Sequence, residues 1–238
     1  LSYAAKGEPP VGIEPTTPSL PWRCSATELQ GRRGFLPRAG NDSRGRARAT
    51  SRPLVFARQQ YHRLMRIRLA ELADAEAIRT IYNVEVTDST NTFDMVPRSP
   101  AEQDAWILQH SGVHPAVVAI EPADAGVAGL AGANGEIVLG FGSLSPFHER
   151  SGYSATAENS VYVDRAQRGR GVGRALLAEL LSLASAHGFH SVIARIAGHN
   201  ELSIGLHTAA GFELVGVERE VGRKHRQWLD VVELQRLL

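Results

Sequence analysis

The chain has one cysteine, Cys24, so no disulfide can close within it, and this fits a reducing compartment such as the cytoplasm. No apolar run approaches the roughly 18 residues that a bilayer-crossing helix needs, so no membrane partner is expected. Metal-site spacings are missing too. There is no His-Glu-x-x-His and no paired-cysteine motif, and His110 and His114 are separated by the helix breaker Gly112. No metal is expected. The sequence shows no internal repeat and no second core, and its length suits one well-packed domain with an appendage.

The net charge of +1 is the sum of two unlike parts. Residues 1–64 carry 11 Lys+Arg against 4 Asp+Glu, while residues 65–238 carry 15 against 21. The first part has no sustained helical or strand period, is interrupted by seven prolines from Pro9 to Pro53, and has a basic polar run over 38–52. Such a composition buries too little apolar surface to offset its ordering entropy. It lacks the apolar core of a secretory signal; a transit-like leader and a basic nucleic-acid arm stay open. A third reading rests on Gly12-Ile-Glu-Pro15 and its surroundings through Leu29, which resemble the conceptual translation of the strand complementary to a transfer-RNA gene. Met65, the first methionine, stands directly before the first strand-like segment, so residues 1–64 are expected to be a spurious, disordered extension.

What organises the rest is Gln167-Arg-Gly-Arg-Gly-Val-Gly-Arg174, set between the β-branched run Ser160–Val163 and the Leu/Ala run Ala175–Leu181. The flanks read as a strand and a helix. A glycine-rich strand-to-helix junction leaves backbone N–H groups uncovered at the positive end of the helix dipole, where an anion is favoured. Arg168, Arg170 and Arg174 add charge, although solvated arginines beside an ordinary turn would look the same. The dinucleotide fingerprint fails, since its third glycine falls on Arg174, and no Walker lysine is present. The remaining Arg168-x-x-Gly171-x-Gly173 resembles the acyl-CoA pyrophosphate loop of the GNAT N-acetyltransferases.

From Met65 onward the elements alternate. Strands are expected at Arg66–Leu69, Ala116–Ile120, Ile137–Ser145, Ala155–Val163, Ser191–Ala197, Phe212–Val221 and Gln227–Leu234. Helices follow a cap at Asp74, a capping box at Ser99–Glu102 with Pro100, the loop at Gly171, and Asn200; Gly188 and Gly211 stop the last two. The polar stretch 122–135 reads as a lengthened hairpin loop. The order β-α-α-β-β-β-α-β-α-β-β is a mixed α/β (α+β) domain, and it is the order of the GNAT fold.

Several stretches resemble one branch of that family, the phosphinothricin (methionine sulfoximine) acetyltransferases: Ile81-Tyr-Asn83, Thr92-Phe-Asp94, Pro146-Phe147, Thr156-Ala-Glu158, Asn200-x-x-Ser203-x-x-Leu206-His207, Gly211-Phe212 and Trp228-x-Asp230-Val231. The resemblance runs from Met65 to the C-terminus. It implies acetyl-CoA as co-substrate, a small amine or amino acid as acceptor, no nucleic acid as partner, and a homodimer. It places the cofactor against Tyr162, Val163 and Asp164, the loop Arg168, Gly169, Arg170, Gly171, Val172, Gly173, Arg174 and Ala175, and Asn200. Glu158 and His207 are the implied catalytic residues.

Acetyl transfer needs a neutral amine, a polarised thioester and release of a thiol. Glu158 interrupts an apolar strand, and partial burial would raise its pKa toward that of a useful base; an outward-facing strand carboxylate is the plain alternative. His207 stands where many GNAT members have a tyrosine thought to protonate the thiolate; acid, base and positioning roles all stay open. Asn200 is a cofactor contact or simply a helix cap. Phe93, Phe147 and Tyr153 are read as walls of the acceptor site, with Arg150 as the partner of a substrate carboxylate, or as a surface arginine; Lys224 and Arg226 are the fallback for that carboxylate.

Overall fold

The computed structural model describes residues 65–123, 129–197 and 200–238. The reading of residues 1–64 as a spurious extension lies outside the described residues. Among the described residues four α-helices and eight strands follow one another: β1 (Arg66–Leu69), α1 (Ala75–Asp88), α2 (Pro100–Gln109), β2 (Ala116–Pro122), β3 (Leu130–Ala131), β4 (Glu136–Pro146), β5 (Thr156–Val163), α3 (Val172–Ala186), β6 (Ser191–Ala197), α4 (Glu201–Ala209), β7 (Glu213–Lys224) and β8 (Gln227–Leu237). The strands form one sheet in the order β1-β2-β4-β5-β6-β8-β7, with β3 added to β4. Every pairing is antiparallel except β5 with β6.

Around β2 and β4 both faces of the sheet are covered. Alternate residues of a strand point to opposite faces, so β2 sends Val117 and Ala119 to one core and Val118 and Ile120 to the other. On the first face Leu176, Leu177 and Leu180 of α3 pack with Leu139, Leu144 and Val192. On the second, Ile78, Ile81, Tyr82 and Val86 of α1 and Ile107 of α2 pack with Val138 and Phe141. No helix among the described residues is long and apolar enough to cross a membrane.

Three local expectations come out differently. The expected hairpin loop 122–135 contributes the short strand β3, which joins β4 at Leu130↔Val138 and Ala131↔Ile137. Asp74 precedes α1 but makes no side-chain cap bond. Its buried carboxylate instead accepts from Arg68 (2.7 and 2.9 Å), from Glu71 N (2.9 Å) and from Ala133 N (2.8 Å), because tertiary donors outnumber what a cap offers. The last hairpin extends further than its apolar pattern: a two-residue turn, His225 (φ 49°) and Arg226 (φ 64°), closes it and lets Lys224 pair with Gln227. The cap at Ser99 forms as expected, with Ser99 Oγ accepting from Glu102 N and Glu102 Oε2 accepting from Ser99 N.

Candidate active site

The site originates in a failure of pairing. β5 is bonded to β4 along its length, from Ala157↔Pro146 to Val163↔Gly140. Its other edge meets β6 at only Thr156↔Ser191, Ala157↔Val192 and Glu158↔Ile193. Beyond Glu158 the two parallel strands diverge, and Asn159–Val163 presents backbone polar groups to open space. An extended amide-bearing chain can add to such an edge as a strand would.

The divergence opens a cleft of about 820 Å³ whose walls are Asn159–Val163, Ala194–Ala197 and the loop Arg168–Arg174, with Asn200, Ser203 and His207 from α4 and Glu85 and Asn91 from the opposite side. That volume is within the range of small-molecule sites, about 300–1,000 Å³. Of the cofactor residues expected from sequence, Tyr162, Val163, Arg168 through Arg174 and Asn200 lie on this wall, while Asp164 and Ala175 do not. The Asp164 carboxylate instead caps the turn that follows it, accepting from Ala166 N at 2.9 Å.

At the mouth, Gly171 is the residue before α3 and has φ 86°, a left-handed conformation that costs any residue with a Cβ. No side chain caps this helix, so its first N–H groups face the cleft uncovered. The arginines are less free than the sequence suggests. Arg170 bonds the buried carboxylate of Glu121 on β2 (2.7 and 2.9 Å), and Arg168 reaches buried Glu85 on α1 at 2.9 Å. Arg174 makes no ion pair with a described residue. Anion attraction here therefore rests first on backbone amides and the dipole of α3, with Arg174 as the unneutralised side chain.

Glu85 and Asn91 were not foreseen. Glu85 Oε1 also takes Arg165 Nε (3.0 Å), and Glu85 Oε2 takes Asn91 Nδ2 (2.6 Å). Burial works against its charge, but bonds from Ser89, Asn91 and Arg165 outweigh this and hold the carboxyl below its usual range. Asn91 Oδ1 in turn accepts from Asn200 Nδ2 (3.1 Å), and Asn200 Oδ1 accepts from Ser203 N (3.1 Å). Asn200 is thus both a helix cap and a wall of the cleft. The signal for Glu85 was a carboxylate inside the apolar stripe Ile81, Tyr82, Val86.

Glu158 sits at the apex where β5 and β6 part. It shares a face with Ser145, Ile193 and, one step along β6, Arg195. Burial pushes its pKa up; Arg195 opposes this, Glu233 reinforces it and His148 opposes it. Its carboxylate has no hydrogen bond or ion pair with a described residue. Arg195 is ion-paired with Glu218 (2.6 Å) and lies 3.9 Å from Glu233, so two carboxylates hold its guanidinium while its charge still reaches Glu158. His207 is 3 % exposed, and its Nε2 lies 3.0 Å from Asn159 Nδ2.

The expected acceptor walls separate into two places. Phe147 and Tyr153 stack edge-on at 5.7 Å with His148 between β4 and β5. Phe93 lies instead against Gly222 of β7, where an added Cβ would come within 2.5 Å of its ring. Arg150 is exposed at the start of the turn that carries Tyr153. Lys224 is 1 % exposed and donates to the carbonyls of Thr92 (2.8 Å) and Glu85 (3.4 Å), so it is not open to a substrate carboxylate. Among the described residues no three His, Cys, Asp or Glu side chains are grouped to hold a metal ion.

A family model described as an acetyltransferase (GNAT) domain matches residues 67–232, spanning the divergent strands, the loop and α4. The chain belongs to the GNAT acetyltransferase family. As a GNAT member it is an N-acetyltransferase, and two of its relatives are similar along about nine tenths of their length. An L-methionine sulfoximine/L-methionine sulfone acetyltransferase of Pseudomonas aeruginosa is 37% identical over 170 residues, 71% of this chain and 92% of that protein. A phosphinothricin N-acetyltransferase of Streptomyces coelicolor is 34% identical over 167 residues, 69% of this chain and 91% of that one. The crystal structure of a GNAT phosphinothricin acetyltransferase from Sinorhizobium meliloti, in complex with acetyl-CoA, is 36% identical and superimposes with a TM-score of 0.65, covering 74% of this chain and 89% of that chain.

Proposed function

We propose that this GNAT enzyme transfers the acetyl group of acetyl-CoA to the α-amino group of a small amino acid or analogue of the phosphinothricin or methionine sulfoximine kind. The observation that carries the reading is Glu158 at the apex of the β5–β6 divergence, a carboxylate with a raised pKa where an acyl thioester laid along β5 would end. Tyr162 and Val163 offer backbone groups to the pantetheine arm, and the amides after Gly171 hold the pyrophosphate. The incoming amine loses a proton to Glu158 as it attacks the thioester carbonyl directly. Arg150 receives the substrate carboxylate, with Phe147 and Tyr153 beside it and Phe93 on the far side. The reaction takes place in the cytoplasm.

A second reading, acetylation of a polyamine, takes support from the negative charge of Glu218 and Glu233 on Arg195, close enough to Glu158 for Arg195 and Glu233 to act on its carboxyl. Release of CoA thiol, measured with a panel of amino acids, sulfoximines and polyamines, separates the two. Turnover confined to polyamines overturns the first, and no thiol release with any amine overturns both. A homodimer is proposed on the exposed edge strand β7, where Leu214, Val215, Val217 and Val221 stay about half exposed or more; sedimentation of the purified protein tests it.

A further inference from the structure

The one side-chain hydrogen bond that joins β5 to α4 among the described residues runs from Asn159 to His207, inside the cleft. Its polarity can be worked out. His207 Nδ1 is 2.8 Å from the carbonyl oxygen of Ser203, which can only accept, so Nδ1 carries a hydrogen. In a neutral ring Nε2 is then an acceptor, and the NH2 end of the Asn159 amide must face it at 3.0 Å. This orientation leaves Asn159 Oδ1 buried and without a partner. Turning the amide over would give Oδ1 a partner only if Nε2 also carried a hydrogen, which makes the ring an imidazolium. Around the ring stand Asn159 from β5, Ser203 from its own helix and the Phe212 ring at 5.1 Å ahead of β7, none of them an anion. Burial lowers the pKa of His207 and the Ser203 carbonyl only partly opposes this. Burying an unpaired cation costs more than leaving one carbonyl oxygen unmatched.

We propose that Asn159 is a positioning residue that holds His207 as a neutral acceptor, and that His207 does not donate a proton to the departing thiolate. This rests on the acetyl-transfer reading above. The nitrogen bonds to the carbonyl carbon, the C–S bond breaks, and Glu158 takes the proton that the nitrogen sheds. The thiolate regains one proton through solvent, as thiolates do readily at neutral pH (a cysteine thiol has a pKa of about 8.5), so protons balance without His207. What the pair supplies is a fixed width between β5 and α4 at the apex.

Three measurements on the full chain decide the matter, the first two on the His207 ring itself. Nitrogen NMR of the His207 ring in the CoA-free protein should show the Nδ1–H neutral form at pH 7, and Asn159→Asp, which can only accept, should raise the pKa of His207 by at least one unit. A charged or Nε2–H ring in the parent, or an unchanged titration in the variant, overturns the proposal. Neither readout needs turnover, so a failure of the acetyl-transfer reading would appear separately, as absent thiol release. With the substrate found by the panel, His207→Gln keeps an acceptor but cannot deliver a proton, and its kcat should fall less than about tenfold, against the 10²–10⁴ typical of a lost general acid. A loss of tenfold or more in a folded variant overturns it. Should His207→Gln fail to fold, the ring titration still decides.

Discussion

Replacing Glu158 by Gln should make the protein more stable and nearly inactive. The carboxylate is partly buried at the β5–β6 apex, has no hydrogen-bonding partner among the described residues, and has its pKa raised by that burial against the pull of Arg195. Since the folded pKa lies above the unfolded one, the native state binds more protons between the two values. Stability therefore falls as pH rises through that window and stays lower above it, by about 1.4 kcal/mol for each unit of rise. Glutamine is nearly isosteric and has no charge to desolvate. Melting curves of parent and variant from about pH 3 to 9 should converge below about pH 4, the ordinary carboxylate range, and separate above it, with the variant higher. Thiol release by the same variant should drop by about 10²–10⁴, the usual contribution of a positioned base. Parallel melting curves would show that Glu158 is well solvated, and retained activity would place the base elsewhere. Either result refutes the reasoning.

Gly171→Val forces a β-branched residue into φ 86° and sets a side chain where an anion must approach; calorimetry should show acetyl-CoA affinity lowered by more than tenfold in a folded variant. Arg150→Ala should lower kcat/KM for amino acids by roughly 1.5–3 kcal/mol, the worth of a hydrogen bond to a charged group, and leave amines without a carboxylate unaffected. Lys224→Met removes the donor from two buried carbonyls, Thr92 and Glu85, and urea unfolding should show a loss of about 1–3 kcal/mol per unsatisfied group.

The parts legible in the sequence are those whose cause is local. A β-branched run, a glycine turn and a Leu/Ala run are contiguous, so the loop and α3 could be placed from residue types alone. Ser99 and Glu102 cap α2 because the two partners are three residues apart. What could not be read depends on distant partners. The neutralisation of Arg168 by Glu85 and of Arg170 by Glu121 joins residues 83 and 49 positions apart. The short β5–β6 pairing, which makes the cleft, is a property of two strands separated by a whole helix. Asn159 looked like one more polar residue in a strand until α4 brought His207 against it. Arg195 in Val192-Ile-Ala-Arg-Ile196 carried a signal, a charge in an apolar strand, whose meaning depended on which carboxylates would face it.

Lys224 is the only lysine between residues 65 and 238, and its amine is spent on two backbone carbonyls inside the protein. Every other basic side chain of Lys/Arg type there is an arginine, whose guanidinium remains protonated and is a poor target for acylation. A surface built this way offers no lysine amine to the activated thioester that the enzyme handles, and its exposed nucleophilic nitrogens are the imidazoles of His148, His187, His190 and His225, whose acetyl adducts hydrolyse readily. Over repeated turnovers the catalyst is spared stable acetylation by its own reagent, and acetic anhydride should leave no acetyl-lysine in this part of the folded chain until unfolding releases Lys224.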